Sequence, residues 1–232
     1  MLQHSVLAHP VLGIDTCGQV GTVALADLEN AATENAATTV TCISQTELGG
    51  RAAAAELMPA IDRMLREGAL ELRALRTILV VNGPGSFTGI RVGLSTAKGL
   101  AHAARVPIVA ISRLAVLAGL DETQQDSLAV LDAGRNEFYA RRRQREWLAS
   151  FEEIATAAEA GVPLIVAEAA IAERLAAWRP ARLGPLDACA ALSGALARLR
   201  SSETEDLAAL DANYLRRSDA ELFARPVSAP VR

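Results

Sequence analysis

Two aspartates close apolar runs in this chain: Asp15 in VLGIDTCGQVG and Asp132 in SLAVLDAGRNEFYARRR. A carboxylate at a strand end can hold the water shell of a magnesium ion, and small neighbours let backbone amides reach phosphate oxygens. Asp15 with Thr16, and Asp132 with Gly134, are therefore nucleotide-proximal candidates. The stretch DTCGQVG departs from an Asp-x-Gly-Thr pattern, and the plainer role is an Asp that ends a strand and starts a turn. The run NGPGSFTGIRVGLSTAKGLA (82–101) offers a glycine-rich turn opening a helix, where amides and the helix dipole favour anions. It lacks the Lys-Ser/Thr ending of a P-loop and the spacing of a dinucleotide fingerprint. The three histidines, His4, His9 and His102, include no pair four apart, so a helical His-x-x-x-His metal site is excluded. Cys17 has no sequence-adjacent His to activate it and reads as a small buried hydrophobe. No residue is assigned as catalytic or metal-binding.

The elements that must carry these residues follow from periodicity. Residues 11–27 form a hairpin whose first strand ends at Asp15 and whose turn covers Cys17 to Gln19. TTVTCISQT (38–46) is a third strand. Over 51–67, Leu57, Met58, Ile61, Met64 and Leu65 share one side of a helix, with Pro59 inside it. TILVVN (77–82) is a buried, parallel-type strand. Ser86 caps a helix over 86–104, whose apolar stripe includes Phe87, Ile90, Leu94 and Ala97. Gly89, Gly93 and Gly99 each cost this helix about 1 kcal/mol relative to Ala, so a second element, of this chain or of a partner, is expected to approach there. A strand at 107–111 follows. Residue 127 begins a repeat of the opening plan, with Asp132 in the position of Asp15, which implies two related lobes. The second lobe reads as truncated: a helix near 151–160, one strand at 163–168, and helices at 169–178 and 187–200.

The chain has 232 residues, 51% of them hydrophobic, enough for a sizeable core. A net charge of −4 argues against extensive wrapping of nucleic acid. Three cysteines without close pairing signal neither a disulfide framework nor a zinc site, and a reducing cytoplasm is expected. A cleaved signal peptide and membrane spans are not expected. Arg141, Arg142, Arg143 and Arg145 could touch RNA or could guard a strand edge.

GIDTCGQVGTVAL, ELMPAIDRML, NGPGSFTGIRVGLSTAKGLA, SRLAVLA and LDAGRNEFY, in that order, resemble the TsaB (YeaZ) family over about residues 11–140. The resemblance implies an α/β, actin-like (duplicated ribonuclease-H-like) fold with a reduced second lobe. The lobes are drawn at 1–115 and 116–225, with a loose tail at 226–232. It further implies a non-catalytic partner subunit in the threonylcarbamoyladenosine modification of tRNA, binding a TsaD-like subunit with a TsaE-like ATPase. A homodimer is the other expected assembly; tRNA would be engaged indirectly, and ATP would be used by the complex rather than bound by this chain alone. Carried over residue by residue, the partner interface comprises Glu56, Met58, Pro59, Gly89, Arg91, Val92, Gly93, Lys98 and Gly99. The stretch GGRAAAAE (49–56) departs from the family's His-Ser-Glu-like pattern. The alternative from another class is an actin-like small-molecule kinase or ATPase.

Overall fold

The computed structural model describes residues 7–29, 39–49, 52–121, 123, 126–201 and 204–216. The tail at 226–232, residues 217–225 of the second lobe and His4 lie outside them. β1 (Pro10–Asp15), β2 (Gly21–Glu29) and β3 (Thr39–Leu48) form an antiparallel meander. β4 (Thr77–Val81) and β5 (Ile108–Ile111) add in parallel on the other side of β1, giving the order β3-β2-β1-β4-β5. Every residue of β1 and β4 is buried, as continuous apolar strands require when helices cover both faces. Alternate side chains serve the two sides: Leu12, Ile14, Ile78 and Val80 pack under α1 (Ala53–Glu67) and α2 (Phe87–Ala104), while Val11, Leu79 and Val81 face the opposite layer.

The second sheet repeats the plan. β6 (Leu128–Gly134), β7 (Glu137–Arg142) and β8 (Arg145–Ala149) are antiparallel. β9 (Leu164–Val166) and β10 (Ala181–Arg182) join in parallel beyond β6, so the order is β10-β9-β6-β7-β8. Read outward from β6, this matches the first sheet read outward from β1. The expectation of a single strand after the 127–143 hairpin is thereby corrected. The lobe is reduced in strand length, with three residues in β9 and two in β10, and not in strand number. α4 (Phe151–Glu159), opened by a Ser150–Glu153 capping box, and α5 (Ala169–Arg174) cover one face. α3 (Arg113–Gly119), capped by Ser112, sits between the sheets.

The Ala-rich stretch at 187–200 divides into α6 (Ala188–Gly194) and α7 (Leu196–Ser201). α6 crosses back to the first sheet, where Ala188, Ala191 and Leu192 pack with Val11, Ala24 and Leu79. Its start is held by Thr22, which accepts from the Ala188 amide at 2.8 Å, and by Gln45, which accepts from the Cys189 amide at 3.0 Å. Cys42 on β3 and Cys189 on α6 form a disulfide across 147 residues, with Cα atoms 6.0 Å apart. The sequence expectation of no disulfide is corrected here: the pairing depends on α6 returning to the other lobe's sheet.

Candidate functional site

A cleft of about 870 Å³ opens between the lobes, lined by residues at the ends of β1 and β6. Its walls include Thr16 to Gln19 from the first hairpin, Gly85, Ser86 and Gly89 from the start of α2, Asp132 and Tyr139 from the second hairpin, and Glu168 before α5. Asp15 and Asp132 behave as the sequence repeat implies. An Oδ1 of Asp15 accepts from the Cys17 amide at 2.8 Å, and an Oδ1 of Asp132 accepts from the Gly134 amide at 2.9 Å. Each carboxylate closes a turn two residues on. Their surroundings differ: Asp15 is buried and Asp132 is exposed.

The cation that lines the cleft beside Asp132 and Glu168 is Arg113, the second residue of the SRLAVLA motif. Its amide donates to the Gly83 carbonyl at 2.7 Å, which pins α3 to the first lobe. Its guanidinium lies 3.4 Å from an oxygen of Glu168 in the second lobe. Burial raises the carboxyl pKa of both Asp15 and Glu168, and Arg113 opposes that rise in each. Arg113 comes just after β5, at the same end of the sheet as Asp15, but no local pattern in the sequence links it to Glu168.

A raised carboxyl pKa means that the folded state binds more protons than the unfolded chain above the ordinary carboxylate range. The stability these groups contribute is complete below pH ~4 and is lost as pH rises through their folded pKa values. The double variant Asp15→Asn/Glu168→Gln should therefore lose less stability than wild type between pH ~4 and neutrality. Urea midpoints measured across that range check this, and parallel curves for the two proteins would contradict it.

Two amides at the helix start already have partners within the chain. Ser86 accepts from the Gly89 amide at 3.2 Å, and the Ser86 amide donates to the Cys17 carbonyl at 2.8 Å. The Thr16 hydroxyl donates to the Gly89 carbonyl at 2.6 Å, so the first hairpin turn lies directly on the first turn of α2. Cys17 is buried, its thiol donates to the Val81 carbonyl at 3.2 Å, and burial pushes its pKa well up, the opposite of an activated nucleophile.

The residues assigned to a partner interface separate into two groups. Met58 and Pro59 on α1 are exposed, and a Cβ at Gly99 on α2 would meet no atom within 4 Å. The others are engaged within the chain. Gly93 is buried, and a Cβ there or at Gly89 would overlap Thr16. For these two glycines the approaching element is this chain's own hairpin, which corrects their reading as partner-facing surface. Val92 is half-buried against the core. Glu56 accepts from the Gly49 amide at 2.7 Å, Lys98 donates to the Leu210 carbonyl at 2.9 Å, and Arg91 donates to the Tyr214 hydroxyl at 3.0 Å. In the arginine cluster, Arg141 pairs with Glu146, Arg142 and Arg143 share Asp126, and Arg145 lies over Trp147. These pairs decorate the β7–β8 edge of the second sheet.

Two sheets of matching strand order facing each other across a cleft define the class: a duplicated ribonuclease-H-like, actin-like fold. A family model described as TsaD, tRNA N6-adenosine threonylcarbamoyltransferase, matches residues 42–176. The chain belongs to the family that this model describes and, within it, to the TsaB (YeaZ) group. It is 36% identical over 103 residues to a Haemophilus influenzae protein named tRNA threonylcarbamoyladenosine biosynthesis protein TsaB, covering 43% of this chain and 44% of that protein. The Escherichia coli protein of the same name is 31% identical over 139 residues, 59% of this chain and 55% of that one. The chain thus spans about half the length of the curated relatives it matches. Across 90% of the chain it superposes on the whole of a Pseudomonas aeruginosa structure, described as similar to peptidase YeaZ, with a TM-score of 0.68 and 26% identity.

Proposed function

We propose that this protein is a non-catalytic partner subunit in the threonylcarbamoyladenosine modification of tRNA. It engages a TsaD-like subunit through the outer faces of α1 and α2, in a cytoplasmic complex that also contains a TsaE-like ATPase. In the partner's absence the same faces support a homodimer. The observation that carries this reading is the cleft. Where an actin-like enzyme would need free carboxylates and open amides, Asp15 is buried against its own turn, Arg113 supplies a resident cation beside Glu168, and the Gly89 amide in the first turn of α2 is capped by Ser86. Nucleotide chemistry is assigned to the other subunits. On α1, Met58 is 46% exposed, an apolar side chain that association would cover.

Co-elution of the chain with its organism's TsaD-like subunit tests the proposal. Met58→Glu should abolish the complex while shifting stability by no more than about 0.5 kcal/mol, as expected for a surface position. A complex of undiminished affinity would refute the assignment of this surface. Turnover of magnesium-ATP by the chain alone would instead favour the kinase reading, which the full strand count of the second sheet keeps in play.

A further inference from the structure

Cys42 on β3 and Cys189 on α6 join the edge of the first sheet to the helix that covers its face opposite α1 and α2. The two sulfurs are not equivalent. Cys42 is exposed on the edge strand, whereas Cys189 is half-buried and packs against the core cluster that holds Ala188 and Leu192. Thiol–disulfide exchange requires a thiolate to reach a sulfur, so it begins at the accessible one. The seat of the pair does not depend on the bond. The Ala188 amide donates to Thr22, the Cys189 amide donates to Gln45, and the Gln45 side-chain amide donates to Asp187 at 3.2 Å. α6 lies so close to β1 that a Cβ at Gly13 would come within 2.9 Å of the Leu192 side chain. With the thiols free, the two Cα atoms therefore stay near their 6.0 Å separation, and the bond re-forms as an intramolecular step. The remaining cysteine, Cys17, is a buried thiol.

We propose that Cys42 is a modification site for low-molecular-weight thiols of the glutathione class, with Cys189 as its resolving cysteine. The Cys42 thiolate attacks one sulfur of a glutathione disulfide. That S–S bond breaks, a mixed disulfide forms on Cys42, and one glutathione leaves as its thiolate. The Cys189 thiolate then attacks the Cys42 Sγ, the Cys42–Cys189 bond forms, and the second glutathione leaves. Two electrons pass from the cysteine pair to the glutathione disulfide, and the departing thiolates take up the protons that the cysteines lost. The product clamps α6 to the first sheet, and thiol attack at the exposed Cys42 Sγ reverses the sequence. The inference is independent of the proposed role in tRNA modification.

Intact-mass spectrometry of the reduced full chain, treated with glutathione disulfide under native conditions, tests it, with peptide mapping and circular dichroism on the same samples. Wild type should end two hydrogens lighter, with no adduct and an unchanged spectrum. Cys189→Ser, which lacks the resolving thiol, should stop with one glutathione on Cys42. Cys42→Ser should be modified at Cys189 at least about tenfold more slowly, as expected from access to the sulfur. Equal rates in the two variants, or a wild type that keeps both hydrogens, would overturn the inference. An adduct on Cys17, or loss of the dichroism signal as the bond closes, would overturn it too, because exchange would then proceed through an opened chain. Should a variant fail to fold, acid-quenched wild type decides the same point: a transient glutathione on Cys42 is expected, and one on Cys189 refutes the assignment.

Discussion

Gly89→Ala should cost this protein more stability than many core truncations, and Gly99→Ala, ten residues further along the same helix, should raise it. At Gly89 an added methyl would overlap the Thr16 carbonyl oxygen, and at Gly93 it would overlap the Thr16 hydroxyl and touch Ile14. At Gly89 the obstacle is backbone held from both sides: the Thr16 hydroxyl bonds to the Gly89 carbonyl, and the Ser86 amide bonds to the Cys17 carbonyl. No rotamer change relieves the overlap, so either the β1–β2 turn or α2 must move. Overpacking typically costs about 1–3 kcal/mol and occasionally more, and this fixed contact belongs at or above the upper end. A loss of ~3 kcal/mol is a large part of a total stability of about 5–15 kcal/mol, and lowers the melting temperature by roughly 6–12 °C. At Gly99 nothing lies within 4 Å, so Ala brings only its helix propensity, a gain of about 1 kcal/mol. Urea midpoints of the two variants and wild type check the order. A Gly89→Ala protein as stable as wild type would mean that the hairpin turn and α2 are not in this contact.

The same glycines show what sequence could and could not deliver. Helix propensity marks all three as needing a reason, but only the three-dimensional path of the first hairpin shows that Gly89 and Gly93 have an internal one and Gly99 does not. Period-2 and period-3.6 patterns located α1, α2, α4 and most strands, because those elements each bury a face of several residues. They missed β8, whose REWLA is charged at a sheet edge, and β10, whose two residues carry no pattern. The equivalence of Asp15 and Asp132 was legible because a strand end, a carboxylate and a turn recur locally. Arg113 was not, because its importance lies in Glu168, 55 residues away. The partner surface suffered similarly: a charge at Lys98 or Arg91 is visible in the sequence, but the Leu210 carbonyl and Tyr214 hydroxyl that engage them come from the chain's far end.

The largest long-range dependence is the return of α6 to the first sheet, and breaking the Cys42–Cys189 link should expose it. The bond closes a 147-residue loop that takes in parts of both lobes. In the chain-entropy account a loop of that length is worth about 4–5 kcal/mol, and measured disulfides more often give about 2–4. Cys189→Ser should therefore lower stability by roughly 2–4 kcal/mol under oxidising conditions and change little under reducing ones. The folded structure should survive either way, because the α6 start keeps its Thr22 and Gln45 hydrogen bonds and Leu192 stays buried against the sheet. Thermal unfolding of wild type and Cys189→Ser, each with and without reductant, separates the contributions. If wild type is insensitive to reductant, the thiols are not bonded in solution and side-chain packing alone holds α6 in place. If reduction instead detaches α6, the Asp187 carboxylate that caps it moves away from Asp15, whose pKa it helps to raise.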